Sequence, residues 1–393
     1  MLQPIKRPRI INTSRIIREI WRSPQVSRVE IARRLQLNKS TITNIVSELI
    51  EDGLVQETHE GFSGPQGGRK PVNLQINKHY GVVIGFELRP NSYTAVVTDL
   101  FGDILFSQTE LETINNTNFK EKIFGIYNTT IKKISWIESP VLGVGFGLSG
   151  IIDAHKRVIK ASIPLEFTEP FDFYEEIAKD FPVPVFIEND ANSCAWGELV
   201  FHRFRSLRNF LFILVEFREL EARKKIHEKT AVGLGFVIDG KVHYGLNSSA
   251  GEFHSIFIGK EQKGQFNIDY EASFTIEENP DVLKKFIAEL SKHAALFVNS
   301  LNLSQIFIGG HIEKYQDIVR PILMKEINQN WMYDQPVDCE IRFSSLGERA
   351  VAYGAAGFVL DRLFIDLEFL DDNDMKRVGG LFLLPDLKKR VYL

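Results

Sequence analysis

The chain has 393 residues, about 2.6 times the usual ~150-residue domain, so two or three domains are expected. At 44% hydrophobic and 25% charged it has the composition of a folded globular protein, which excludes wholesale disorder. The formal net charge of −4 is an average over unlike parts: residues 1–80 hold thirteen lysines and arginines against seven acids, a surplus of six positive charges, and the remainder carries ten negative. A basic head on an acidic body calls for an anionic partner at the head alone. Apolar runs such as VLGVGFGLSGII (141–152) are too short and too broken by glycine to span a bilayer, and no signal-type apolar segment follows Lys6, Arg7 and Arg9, so no membrane role is expected. Two cysteines, Cys194 and Cys339, argue against a disulfide framework or a cysteine-rich zinc site and fit a reducing cytoplasm.

The head opens with an apolar stripe at helical spacing, Ile16, Ile17, Ile20 and Trp21. Ser27-Arg28-Val29-Glu30 has the spacing of a capping box and starts a short helix with Ile31, Ala32 and Leu35 inside. A turn, Gln36–Lys39, leads to a third helix over 40–52, with Ile42, Ile45, Val46, Leu49 and Ile50 on its inner face and Gly53 as its stop. Helix, short turn and longer helix make a helix-turn-helix. The outer face of the third helix offers Lys39, Ser40, Thr41, Thr43 and Asn44, side chains suited to base edges and phosphates in a major groove. Residues 54–58 and 71–77 read as a two-stranded wing with a glycine-rich tip, where Arg69 and Lys70 would meet phosphates or the minor groove. A helical adaptor with a solvated basic face is the alternative; capping box, turn spacing, polar face, wing and charge together favour double-stranded DNA.

From about residue 80 short apolar strands alternate with glycine turns and amphipathic helices. Residues 81–88, 93–100 and 102–111 read as a meander, 141–148 and 184–190 as buried strands, and 209–217, 236–245 and 305–310 repeat the theme, with a long helix over 279–301. Two such α/β units predict two lobes with a cleft at the carboxyl ends of their strands.

The chain then resembles the ROK family of repressors, uncharacterised proteins and sugar kinases, from the head to about residue 364. The motifs that carry the resemblance are Gly147-Leu148-Ser149-Gly150, Glu188-Asn189-Asp190-Ala191-Asn192, Asn247-Ser248-Ser249-Ala250-Gly251-Glu252, Gly309-Gly310, and Leu346-Gly347-Glu348-Arg349-Ala350 followed by Gly354-Ala355-Ala356. The resemblance implies an actin-like (ribonuclease H-like), two-lobed sugar-kinase fold, and the winged helix marks the family's repressor branch. It divides the chain into a DNA-binding domain (1–78), a first lobe (79–189, with a C-terminal helix at about 346–364 packing back on it), a second lobe (190–345) and a tail (365–393). It also implies a sugar site in which Asn189, Asp190 and Glu252 bind hydroxyls and Gly150 lets the backbone approach the ring; Asp190 matches the base of the family's kinases. Capping of turns and helices is the structural alternative for these acids.

Departures from the family pattern point away from catalysis. The first phosphate loop of the family, Asp-x-Gly-Gly-Thr, reads Glu87-Leu88-Arg89-Pro90-Asn91, so both glycines are gone and proline removes a donor. A charged stretch over 218–230, expected to be helical and solvated, precedes Val232-Gly233-Leu234-Gly235, where a glycine turn should bind phosphate directly after the strand. At the family's zinc site, His254 replaces a glycine, Ser255 replaces a histidine ligand, and residues 260–267 hold no cysteine, so no metal is expected. The same alignment puts Asp269 in the place of a sugar-binding glutamate, with Glu271 its rival. The resulting expectation is a DNA-binding transcriptional regulator, a repressor, that acts as a homo-oligomer, a dimer, on an operator. It answers to a sugar or sugar phosphate, with no enzymatic activity and no cofactor. The alternatives are a sugar kinase with a DNA-binding head, and a DNA-binding protein whose body is a ligand-free dimerisation scaffold. The tail, ending GLFLLPDLKKRVYL, is expected either to dock on its own lobe or to contact another subunit.

Overall fold

The computed structural model describes residues 7–23, 25–60, 72–202, 207–218, 229–259, 264–344 and 346–364. Arg69, Lys70, the interior of the charged stretch and the tail lie outside the described residues.

In the head, Ile16, Ile17, Ile20 and Trp21 bury the inner face of α1 (Arg7–Arg22). The capping box forms as spaced: the Glu30 amide donates to Ser27 Oγ at 3.3 Å and the Ser27 amide to Glu30 Oε2 at 2.8 Å. It follows the two-residue strand β1 (Val26–Ser27) and opens α2 (Arg28–Leu35), which ends on Gln36 in the left-handed region. The third helix, α3 (Lys39–Glu51), begins one residue before its expected start, with extended Asn38 at the N-cap position and no side-chain cap. Gly53 follows at φ +78, where its missing Cβ removes the strain. The wing strands are β2 (Val55–Glu60) and β3 (Val72–Ile76). The expected two-stranded wing is in fact three-stranded, because Val26 and Ser27 pair with Leu74 and Asn73. Two residues are too few for a period-2 signal, so β1 had no sequence signature.

The body holds two five-stranded sheets of one topology. In the first, β4 (Val82–Leu88), β5 (Ser92–Asp99) and β6 (Ile104–Leu111) form an antiparallel meander. Helix α4 (Phe119–Lys133) crosses over to β7 (Val141–Leu148), parallel to β4. A small sheet of β8 (Ile151–Asp153), β9 (Val158–Ala161) and β10 (Phe171–Asp172) and a short α5 (Phe173–Glu176) precede β11 (Val185–Asn189), parallel to β7. Helix α6 (Asp190–Phe201) leaves this sheet. The second sheet repeats the scheme. Here β12 (Phe210–Phe217), β13 (Thr230–Ile238) and β14 (Lys241–Val242) are antiparallel. After α7 (Tyr270–Ser273), α8 (Pro280–Leu301) crosses to β15 (Gln305–Gly310), α9 (Gln316–Gln329) to β16 (Glu340–Phe343), and α10 (Ala350–Leu363) leaves. The strand orders β11-β7-β4-β5-β6 and β16-β15-β12-β13-β14 correspond one to one, so α6 and α10 are equivalent helices.

These two helices pack on each other between the sheets. Glycine permits the contact: a Cβ on Gly354 would lie 1.9 Å from the Ser193 carbonyl oxygen, and one on Gly197 3.2 Å from Gly354 Cα. The alternating glycines of β7 serve the same helix, since a Cβ on Gly145 would fall 2.5 Å from the Ala355 oxygen, while Val144, Phe146 and Leu148 fill the opposite core.

Two expectations change at β13. The strand expected from residue 236 begins at Thr230, so Gly233 and Gly235 lie within it rather than in a phosphate-binding turn. Glycine is needed because Gly235 faces the Ala191 carbonyl, 2.6 Å from where its Cβ would be. The ends of the charged stretch are hairpin rather than solvated helix: the Arg218 amide donates to the Lys229 oxygen at 2.7 Å, and Lys229 is buried against Glu277 at 2.8 Å. Residues 219–228 are outside the described residues.

Candidate DNA-reading face and ligand cleft

On α3, Lys39, Ser40, Thr43 and Asn44 are exposed and Thr41 half-buried, on the face opposite buried Ile42, Ile45, Val46 and Leu49. Thr43 Oγ1 donates to the Lys39 carbonyl at 2.9 Å. Without a side-chain cap on Asn38, the amides of the first turn are open to an anionic acceptor. Three of the head's thirteen lysines and arginines are paired within it: Arg9 with Glu48, Arg28 with Glu57 at 2.7 Å, and Arg34 with Glu19 at 2.5 Å. Arg18 faces the body, donating to the Phe364 carbonyl at 3.0 Å and reaching Asp361 at 3.4 Å. Beside it Trp21 stacks on Phe364, ring centroids 4.6 Å apart, and its Nε1 donates to the Leu100 carbonyl at 3.3 Å. Head and α10 therefore share one interface.

The cleft floor is the junction of β11 and α6. Asn189 caps α6, accepting the Asn192 amide at 3.1 Å, while its Nδ2 donates to the Gly150 carbonyl at 3.0 Å. Asp190 accepts from Ser149 Oγ at 2.7 Å and from the Ala191 amide at 2.7 Å. Burial, then the neighbouring Glu216 and Glu252, push its carboxyl up to about 7. Glu252 stands at the rim with an exposed surface, yet enough protein crowds it that burial raises its carboxyl too. Gly150, at φ +124, packs against β9, where a Cβ would lie 2.3 Å from the Ala161 oxygen; close packing already requires glycine there. Asp269 is exposed and caps α7, accepting the Glu271 and Ala272 amides at 3.0 and 3.1 Å, and Glu271 is exposed in the same turn.

An ion pair not foreseen from sequence clasps the lobes. Arg89, just beyond β4, donates from Nε to Glu87 Oε1 and from Nη2 to Glu216 Oε1 on β12, both at 2.8 Å. Burial pushes the Glu87 carboxyl up to about 8, whereas Arg89 overcomes burial to hold Glu216 below its usual range. His311 Nδ1 accepts the Phe217 amide at 2.9 Å at the same strand end. Behind the floor, buried Glu188 accepts from Tyr244 Oη at 2.6 Å, Trp196 Nε1 at 3.2 Å and the Asn189 amide at 2.8 Å. A lone Glu216 in an apolar strand was the available signal, because a buried charge demands a partner.

At the place of the absent zinc ligands, buried Ser255, Glu289 and His293 form a polar cluster. Ser255 Oγ donates to Glu289 and lies 3.0 Å from His293 Nε2, and the Asn267 amide donates to Glu289 Oε1 at 2.9 Å. Among the described residues no group of three His, Cys, Asp or Glu could hold a metal ion.

Residues 83–265 match the ROK family, and residues 11–56 match a winged helix-turn-helix DNA-binding family. The chain carries a ROK family domain behind a winged helix-turn-helix head. Xylose repressors are among its relatives: one from Caldicellulosiruptor bescii is 25% identical over 89% of this chain and 95% of its own, and one from Bacillus subtilis 24% identical over 91% and 96%. The crystal structure of a ROK family transcriptional regulator, a homologue of the Escherichia coli Mlc protein, superposes with a TM-score of 0.70 at 20% identity, covering 98% of this chain and 99% of that one. A ROK glucokinase from Streptomyces griseus superposes over 71% of this chain with a TM-score of 0.56 at 17% identity. The fold is therefore a winged helix joined to the actin-like sugar-kinase architecture.

Proposed function

We propose that this ROK chain is a sugar-responsive transcriptional repressor. Its head reads an operator in double-stranded DNA through the exposed face of α3, and a sugar bound between the lobes at Asp190 and Glu252 alters operator affinity. The observation that carries the proposal is the shared interface of head and α10. Trp21 and Arg18 dock on the end of the helix that packs against α6, whose first residue is Asp190. A DNA reader and a ligand cleft are thus tied by one rigid element. The relatives named as xylose repressors support a sugar effector. Phosphoryl transfer is not part of the proposed role, because the clasp of Glu87, Arg89 and Glu216 stands where a phosphate cradle would be required. The protein acts in the cytoplasm and binds as a dimer, with half-sites one or more DNA turns apart.

Duplexes selected from a random pool by the full chain supply the operator. Thermal unfolding with D-xylose, D-glucose and N-acetyl-D-glucosamine then tests the cleft, since a ligand at 100 times its Kd adds about 2.7 kcal/mol of stability. At least one sugar should raise the Tm of the wild type and not of Glu252→Ala, and should change operator affinity. No stabilisation by any of them favours a scaffold body. Sugar-dependent ATP turnover that Asp190→Asn abolishes would establish a kinase instead.

A further inference from the structure

We propose that the cleft admits only uncharged sugars, and that the Glu87–Arg89–Glu216 clasp is the element that excludes phosphorylated ones. The inference rests on the sugar-binding reading of Asp190 and narrows the ligand class of that site.

A phosphate needs a cation whose charge is not already offset, or converging amides. Arg89 faces Asp190's neighbours Glu87 and Glu216 and is bound to both, and the second guanidinium that acts on Glu216, Arg218, has a partner as well. Glu87 is almost completely buried and burial pushes its carboxyl up to about 8, so the charge of Arg89 is offset chiefly by Glu216. Asp190 and Glu252 add two more carboxyls, and Ser149, the hydroxyl on the floor, is already donating to Asp190. Two other cations near the lobes are engaged as well: Lys229 with Glu277 at 2.8 Å, and Lys160 with the Asn247 carbonyl at 2.9 Å and Asp153 at 3.6 Å. The glycine segment that could have turned its amides toward a phosphate, 233–235, is a β-strand paired with Leu214, Ile213 and Phe212 of β12 instead. Among the described residues the cations at the cleft are thus already partnered, while Glu216, Glu252 and, above pH 7, Asp190 offer carboxylates: these suit sugar hydroxyls, which donate, and repel a phosphate dianion. Against like charge at close range, discrimination of roughly a hundredfold or more in Kd is expected.

The clasp also predicts how the exclusion can be undone. Replacing Glu216 by Gln keeps a hydrogen-bonding partner for Arg89 and leaves part of its charge unbalanced at the cleft. The test is thermal unfolding of the full chain, wild type and Glu216→Gln, at pH 8 and low salt, with D-glucose and D-glucose 6-phosphate, D-xylose and D-xylose 5-phosphate, and N-acetyl-D-glucosamine and its 6-phosphate. The expected result is a Tm rise with a neutral sugar and none with its phosphate in the wild type, and a new rise with that phosphate in Glu216→Gln; inorganic phosphate alone, run in parallel, corrects for non-specific anion binding. A wild type stabilised as well by the phosphate as by the neutral sugar overturns the exclusion and leaves the sugar site standing. A phosphate that stabilises neither protein, beside a neutral sugar that stabilises both, removes the clasp as the discriminating element. No shift with any compound removes the sugar site itself, and the exclusion with it.

Discussion

Lys39 and Asn44 lie on one exposed helix face but belong to different kinds of contact. Lys39→Ala should weaken binding to all duplexes alike and reduce the slope of log K against log salt by about one, as loss of a single phosphate contact does. Asn44→Ala should change which duplexes are selected, at roughly 1–3 kcal/mol for the base pair it reads. Titration of the cleft gives a second residue-scale test. Burial holds Asp190 near 7 in the folded chain against 3.8 when free, so between these values the native state keeps a proton that the unfolded state loses. Stability from this group is full below pH 4 and falls as pH rises through 7. Asp190→Asn should flatten that decline, by an amount of the order of a few kcal/mol, in denaturant titrations run from pH 5 to 8. Ser255→Ala should cost about 1–3 kcal/mol, since Glu289 and His293 are left buried with one partner fewer. Ser255 is where a missing metal ligand could be read from sequence but its replacement could not, because Glu289 and His293 lie more than thirty residues away on α8.

At the scale of elements, the contact between α6 and α10 is set by backbone rather than side chains. Gly354→Ala would press a methyl group into the Ser193 carbonyl, and neither helix can yield without moving off its sheet. A loss of about 1–3 kcal/mol or more is expected in chemical denaturation. Local elements were legible in sequence where periodicity and caps agreed, as in α2 with its capping box and in β4, β5 and β7. The register of the two glycine-rich strands was not. VGLGF reads as a turn from composition, yet it is strand, because the carbonyl of Ala191 must approach it from another segment. Arg89 shows the same limit: its own neighbourhood reports only that a glycine is gone, while its meaning depends on Glu216, 127 residues on.

For the whole molecule, the two five-stranded sheets make the cleft a joint between duplicate halves, with the head fixed to one of its two central helices. Arg18→Ala should leave the sugar-induced Tm rise intact and diminish the sugar-induced change in operator affinity, read by fluorescence anisotropy of a labelled duplex. An intact head–body coupling is worth roughly 5–150-fold in affinity, so its loss is within reach of that measurement. An unchanged response in Arg18→Ala would separate the head's docking from its regulation. The formal charge also looks different at this scale: the pairs with Glu19, Glu48 and Glu57 involve acids that the head's surplus of six already subtracts, whereas Arg18 and Lys78 carry part of that surplus to Asp361 and Asp103 of the body.

The stacking of Trp21 on Phe364 also has an optical consequence. Of the chain's four tryptophans, Trp21 lies in the joint between head and α10, and Trp196 lies behind the cleft floor, bonded to Glu188 and Tyr244. A tryptophan lifted from an aromatic stack into water changes its emission, so each indole is an intrinsic probe of a different event. Difference spectra of Trp21→Phe and Trp196→Phe against the wild type would resolve ligand entry from head movement in one unlabelled sample, and stopped-flow traces of the two signals would give the order in which they occur.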